Sequence, residues 1–331
     1  MDKNNIRSRN IVTCTLCGAP GDIIYSGLAD RLFGAPGKWG FRRCQNGGCG
    51  LLWLDPSPIP EDIGLAYASY YTHPELRVRP ALDPLKYFVL RKVLWCSHFA
   101  IGGPSLLQAR RNTAEMYLRN VTPGKLLDVG CGNGRRLCQL QKLGWQVVGQ
   151  EMDPVAAEAA RKRGISVHLG TLESAKFPSD GFEAIILSHV MEHVPDPVET
   201  AVECRRILKS TGVLVAVTPN MESYGHRLFG ADWRGLEPPR HLHVFSQKSL
   251  FLLAKTSGFS DIAVWTTAAN ADNILLASEQ CAELRCGGQP ASSFQGRLRV
   301  ITRQLALLKS AWREQKLDRN SGEECVLRVR K

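Results

Sequence analysis

The chain has 331 residues, 44% of them hydrophobic and 22% charged, which suits one large or two smaller folded domains and excludes a disordered chain. Net charge is +11, but no run of five or six basic residues occurs, so a solvated basic surface is preferred over a nucleic-acid or membrane partner. The polar start MDKNNIRSRN has no apolar run behind it, and Leu85 to Ile101 is interrupted by Lys86, Arg91, Lys92 and His98. No secretory signal or spanning helix is therefore expected, and the location reads as cytoplasmic or peripheral to the inner membrane.

Eleven cysteines in such a chain should be thiols or metal ligands rather than a disulfide frame. Cys14-Thr-Leu-Cys17-Gly and Cys44-Gln-Asn-Gly-Gly-Cys49-Gly form two pairs at ligand spacing. Together Cys14, Cys17, Cys44 and Cys49 can close a structural zinc site with no open position for chemistry. Lys38, Arg42 and Arg43 could offset its negative charge. Cys281 and Cys286 have the wider spacing without a second pair, and read as packing. A zinc-ribbon-like domain over 1–60 is expected, ending in LLWLDPSPIP, then a helical bridge over 61–118. The bridge segment LKYFVLRKVLW reads as a buried helix.

KLLDVGCGNGR, residues 125 to 135, reads as a buried strand running into a glycine loop and then a helix. The next strand, WQVVGQ, ends at Glu151, where an acid can accept both ribose hydroxyls of a nucleotide. The spacing is G-x-G-x-G with Asp128 two positions ahead, unlike the dinucleotide G-x-G-x-x-G.

This order resembles class I S-adenosylmethionine (AdoMet)-dependent methyltransferases, with D-V-G-C-G-N-G as their motif I. The resemblance covers about 115–331, and the N-terminal extension fits a bacterial subset with a zinc-ribbon-like knuckle. It implies a doubly wound, Rossmann-like α/β fold with a seven-stranded, mostly parallel sheet over 119–331. It implies AdoMet held by Asp128, Gly130, Cys131, Gly132, Gly134 and Glu151, adenine between Met152 and Leu172, and further contacts from Ser188 and His189. Thr171 stands where the family often has Asp.

HVMEH, 189 to 193, is H-x-x-E-H, the zinc-peptidase arrangement. Pro195 and Pro197 allow at most one helical turn after it. The stretch therefore reads as a loop at the carboxyl end of the domain's fourth strand, where ligands sit in open α/β sheets. His193 is a candidate general base there, balanced against a histidine that merely bonds backbone. The loop also resembles the E-x-x-E-H loop of quinone O-methyltransferases, which implies a divalent ion; His189 replaces the first acid, and His189, Glu192 and His193 remain as ligands. The stretch 219–246 reads as part connector and part acceptor lid, with Trp233 and Phe245 as core and Arg240 or His241 meeting a polar substrate. His241 is the second candidate base. SGFSDIAVWTT and SGEECVLRVRK read as the last two strands, around a basic helical insert over 271–320.

The strand-four loop lacks N/D-P-P-Y and the fifth strand lacks Pro-Cys, both against attack on nucleic-acid bases. The expected reaction is O-methylation of a small or lipid-linked hydroxyl on a sugar, polysaccharide precursor or quinone-like ring. An RNA methyltransferase and a non-enzymatic AdoMet- or partner-binding module are the alternatives.

Overall fold

The computed structural model describes residues 6–67, 84–287 and 294–331, with backbone alone at 84–91 and 294–298. Parts of the expected bridge and insert, 68–83 and 288–293, lie outside the described residues, as do the side chains of Leu85 to Arg91.

The chain opens with β1 (Ser8–Arg9), β2 (Gly21–Leu28), β3 (Trp39–Cys44), β4 (Leu52–Leu54) and β5 (Ser57–Pro58). A 3₁₀ segment, Pro60–Tyr67, leads towards α1 (Pro84–Ala114), which is kinked where Gly103 leaves helical geometry ahead of Pro104. Proline lacks the N–H needed to continue the ladder, so the kink falls there.

The main domain follows as β6 (Lys125–Val129), α2 (Arg135–Gln141), β7 (Gln146–Glu151), α3 (Pro154–Arg161), β8 (Ser166–Leu169), β9 (Phe182–Ser188), α4 (Pro197–Ile207) and β10 (Leu208–Pro219). It closes with α5 (Tyr224–Phe229), β11 (His243–Val244), α6 (Gln247–Thr256), β12 (Ser260–Thr267), α7 (Ala271–Arg285), α8 (Phe294–Leu317) and β13 (Glu324–Arg330).

The seven-stranded sheet has the order β12-β13-β10-β9-β6-β7-β8. Strands β8, β7, β6, β9 and β10 are parallel, and β13 runs antiparallel between β10 and β12. The fold is thus the doubly wound, Rossmann-like α/β architecture the glycine loop predicts.

Both faces of the central strands are buried, as their unbroken apolar runs require. Leu127, Ile185, Leu187, Leu214 and Leu327 point into one core with Leu250 and Leu253 of α6. Leu126, Ala184, Ile186, Val215 and Val326 point into the other with Leu137 and Leu140 of α2. The parallel strands all end on one edge, so the loops after β6, β7, β9 and β10 converge there.

The N-terminal sheet has the order β11-β4-β3-β2, and β11 comes from the expected lid. His243 and Val244 pair with Trp53 and Leu52, stitching the first fifty residues to the main domain. Residues 219–246 are consequently a seam rather than a free cover. Trp233, Leu236, Leu242 and Val244 share a core with Trp39, Phe41 and Leu52. Phe245 lies in the large core that also contains Cys49 and Trp53.

Candidate active site and four-cysteine cluster

Gly130, Gly132 and Gly134 follow β6 with φ of 67°, 55° and 75°. That left-handed region is open to glycine and costly for most other residues. A side chain at Gly130 would also meet Val190, with its Cβ 2.7 Å from a methyl of that residue. The glycine loop and the strand-four loop therefore touch only because residue 130 has no side chain. Cys131 is buried under the loop, beside Gly149.

Glu151 stands at the tip of β7. Its carboxylate accepts from the Gly132 N–H at 2.7 Å and from the Met152 and Asp153 N–H groups at 2.8 and 2.9 Å. The acid is thus aimed at the glycine loop, where ribose hydroxyls would compete with Gly132 for one oxygen. Asp128 is buried beneath the loop, and burial pushes its carboxyl up to about 7, with Glu151 adding to the rise. Gln150 was not anticipated from sequence. Its side chain accepts from the Gly130 N–H and donates to the Gly170 carbonyl, tying the glycine loop to the turn after β8. Met152 is exposed, whereas Leu172 is buried in the core.

The loop after β9 turns immediately. His189 has φ 56°, and its N–H donates to the Val217 carbonyl. Helix α4 starts only at Pro197, capped by Asp196 accepting from the Val198 and Glu199 N–H groups at 2.9 Å. No helix carries both histidines, so the peptidase geometry is absent among the described residues.

His189 lies between two carboxylates, with Glu192 at 3.2 Å from Nδ1 and Glu324 at 2.9 Å from Nε2. Burial alone would lower its pKa, but the two acids outweigh it and hold the ring up at about 10. His189 is therefore a cation at neutral pH. Both its nitrogens are engaged, and it falls outside the cluster of ligand atoms that Glu192 and His193 form. Glu324, at the start of β13, was not legible locally because it reaches the loop only through strand pairing.

His193 is different. Its Nδ1 is 3.0 Å from the Arg240 carbonyl and 3.0 Å from the Tyr67 hydroxyl. A carbonyl can only accept, so Nδ1 carries the proton and Nε2 keeps its lone pair. Burial pulls the pKa of His193 below its ordinary value, so the ring is neutral at pH 7. Its ring meets that of His241 edge-on, with centroids 4.6 Å apart. His241 is itself buried, with Nδ1 donating to the Gly235 carbonyl at 2.7 Å.

Ligand atoms of Glu192, His193 and His241 all lie within 4.8 Å of one another. Glu192 is fully buried, and its Oε2 has no hydrogen-bond partner among the described residues. The donor types suit a divalent cation, with His241 in the place expected for His189, its Nε2 lying 3.3 Å from the Glu237 carboxylate.

Arg240 does not face a substrate, contrary to the sequence expectation. Its guanidinium is wholly buried and donates to Glu237, to the Ala66 carbonyl and to Asp30, each at 2.8 Å. It clamps the N-terminal sheet to the seam while its own carbonyl orients His193. Replacing one member of a buried ion pair strands the others, at about 3–5 kcal/mol. Arg240→Ala should accordingly lower stability by about that amount in denaturant unfolding. Stability within error of wild type would show that the clamp contributes little.

The four cysteines come together as expected from their spacing. Cys14 and Cys49 sulfurs are 3.8 Å apart, Cys17 and Cys44 sulfurs 3.4 Å, and all four lie within 4.8 Å. Four thiolates on one zinc at about 2.3 Å stand about 3.8 Å apart, so the cluster fits that ion. Arg42, expected to offset the thiolates, instead pairs with Asp55 at 2.5 Å. Cys281 is half-buried as a packing residue should be, but Cys286 is exposed and does not fit that reading.

Residues 105–264 match a family model described as a methyltransferase domain. A ubiquinone biosynthesis O-methyltransferase of Cereibacter sphaeroides is 30% identical over 131 residues, 37% of this chain and 53% of that protein. One from Maricaulis maris is 25% identical over 208 residues, 57% of this chain and 74% of that protein. The chain thus spans about half the length of the Cereibacter relative. Among solved structures, phosphoethanolamine N-methyltransferase 2 of Haemonchus contortus, bound to S-adenosyl-L-methionine, aligns with TM-score 0.47 and 15% identity, over 93% of this chain and 71% of its own. A Thermotoga maritima SAM-dependent methyltransferase, described as a possible histamine N-methyltransferase, aligns with TM-score 0.45 and 20% identity, over 75% and 98%.

Proposed function

We propose, from the premise that this chain contains a class I S-adenosylmethionine-dependent methyltransferase domain, that it methylates a hydroxyl on a small or lipid-linked acceptor. A quinone-like ring heads the acceptor classes, since the relatives from Cereibacter and Maricaulis carry names of ubiquinone O-methyltransferases. The observation that carries the reading is His193, neutral and with Nε2 free of its carbonyl partner, on the sheet edge that also holds Gly130 to Gly134 and Glu151.

AdoMet, when bound, supplies a methyl already activated on a sulfonium. The residues that would hold it are Asp128, the Gly130–Gly134 loop and Glu151, with Met152 open to one face of the adenine. Leu172 would act from within the core, and Ser188 and His189 from the end of β9. The protein's remaining work is to align the acceptor, exclude water and remove one proton. Alignment of reactants can be worth about 7–11 kcal/mol. His193 Nε2 takes the hydroxyl proton as the oxygen commits its lone pair, while Nδ1–H on the Arg240 carbonyl keeps the ring in place. Glu192, beside His193, favours the imidazolium that results.

A second reading of the same residues is carried by the unpartnered Oε2 of Glu192. There a divalent cation on Glu192, His193 and His241 would acidify the acceptor hydroxyl instead of a base removing its proton. We place the metal-bearing unit at 1–60 and the transfer unit at 119–331, with one zinc on the four cysteines.

Calorimetry tests the cofactor assignment. AdoMet should bind the purified protein, and Glu151→Ala should weaken it at least tenfold, the cost of losing charge-assisted hydrogen bonds of about 1.5–3 kcal/mol. Tighter binding of NAD than of AdoMet would sink it.

A further inference from the structure

Helices α1 and α8 pack together through Gly102 and Leu106 on one side and Leu308, Ala311 and Trp312 on the other. With α5 and α7 they form a helical layer, and Gln315 of α8 bonds Thr266 and Ala268 at the carboxyl end of β12. Helix α1 contains five Lys or Arg and no Asp or Glu, and α8 contains six and one. The two helices therefore carry ten of the chain's eleven net positive charges. Eleven of the chain's 42 Lys and Arg thus lie on these two helices, while α7, packed against α8, carries Asp272, Glu279 and Glu283. Arg110, Arg111 and Arg303 are held in ion pairs, while Arg299, Lys309, Arg313 and Lys316 are exposed.

Alongside this charge, α1 leaves large apolar side chains in water. Trp95 is 56% exposed, Val93 53% and Phe99 47%. Trp95 and Phe99 stack one turn apart, with ring centroids 5.7 Å from each other. Lys92, also exposed, falls on the same face, since positions three, four and seven apart on a helix align. Beyond this stretch, Ile101 packs against the cluster that contains Leu307 and Leu308 of α8. Of the segment expected to be a buried helix, the described side chains of Lys92, Val93 and Trp95 are exposed and Leu94 is half-buried, against that expectation. The segment just ahead, Leu85 to Arg91, is of the same apolar-basic kind in sequence.

We propose that this face docks on an anionic lipid surface, with Trp95 and Phe99 in the headgroup boundary and the exposed Arg299, Lys309, Arg313 and Lys316 of α8 on lipid phosphates. Aromatic side chains on one face of a basic helix favour that interface. Charge selects the occupant. An isologous contact with a second copy would set Arg299, Lys309, Arg313 and Lys316 against their own copies, which opposes it. A nucleic acid would satisfy the charge but leave Val93 and the stacked aromatic pair without an apolar medium. No helix among the described residues is long and apolar enough to cross a membrane, so the helix lies on the surface. The inference stands apart from the methyl-transfer reading, although a lipid-linked acceptor would be presented on the same layer.

Flotation of the full-length protein with phosphatidylcholine vesicles, with and without phosphatidylglycerol, tests it. Each basic residue engaged near an anionic surface is worth about fivefold, so two or more should favour the phosphatidylglycerol vesicles by at least ~25-fold. Trp95→Glu with Phe99→Glu should remove most of this binding while leaving the melting temperature and AdoMet affinity unchanged, because both side chains face water. Lys309→Glu with Arg313→Glu should abolish the phosphatidylglycerol preference in a second, independent way. No binding to either vesicle, equal binding to both, or Trp95-dependent dimerisation in sedimentation velocity would overturn the proposal. So would RNA binding with vesicles ignored.

Discussion

His193→Ala should lower turnover by roughly 10²–10⁴-fold, the usual worth of a positioned acid or base. AdoMet affinity should stay nearly intact, because the ring serves the acceptor and not the cofactor. The wild-type rate should depend on pH with a definite sign. Burial lowers the pKa of His193, so its basic form accumulates below the ordinary histidine value of about 6.5. The rate should climb through an apparent pKa beneath that value and be level by pH 7, and the Ala variant should lack this limb. A merely structural histidine would instead lower stability and cofactor binding together. Tyr67→Phe is a useful companion, since it removes only one of the two groups around Nδ1. It should lower the rate far less than His193→Ala. Chelation separates base from metal. If a chelator abolishes activity while zinc stays with the cysteines, the cation on Glu192, His193 and His241 is favoured and the base is not. Normal turnover of His193→Ala on its acceptor would reject both.

The largest effect on stability is expected at the cysteine cluster. Protein purified without added zinc should hold about one zinc per chain, the stoichiometry of one closed four-ligand site. Cys14→Ser with Cys44→Ser should lose it. Such sites hold zinc by about 10–16 kcal/mol in small peptides, and part of that is folding free energy here. The four cysteines belong to the same apolar cluster as Trp53, Phe245 and Leu250. Strand β4 also carries β11 and the seam. Loss of the metal should therefore loosen Tyr67 and Arg240, the two groups that hold His193. Melting temperature should drop by on the order of 10 °C, at about 2–4 °C per kcal/mol for a domain of 150–250 residues, and turnover should fall with it. Unchanged zinc content in the double variant would rule these ligands out. Zinc lost with stability and turnover unaltered would break the link between cluster and site.

The sequence by itself determined the features that rest on local chemistry. Buried strands announce themselves as apolar runs, so β6 and β7 appear at 125–129 and 146–151 as read. Glycines at 130, 132 and 134 mark a turn with positive φ because other residues resist it. Pro195 and Pro197 denied HVMEH a helix, and the loop turns as they require. The cysteine pairs come together because their spacing suits one metal. What only the tertiary structure decided depends on residues far apart in the chain. Arg240 looked like a substrate-facing cation, but Glu237, Asp30 and the Ala66 carbonyl bury it. His189 looked like a metal ligand, but Glu324, 135 positions away, takes its second nitrogen. The lid became a seam because β11 found an unpaired edge at β4, a contact no local pattern records. The proposed docking face likewise exists only where α1 and α8 meet, because charges spaced along a chain sum into a field only once folding brings them near one another.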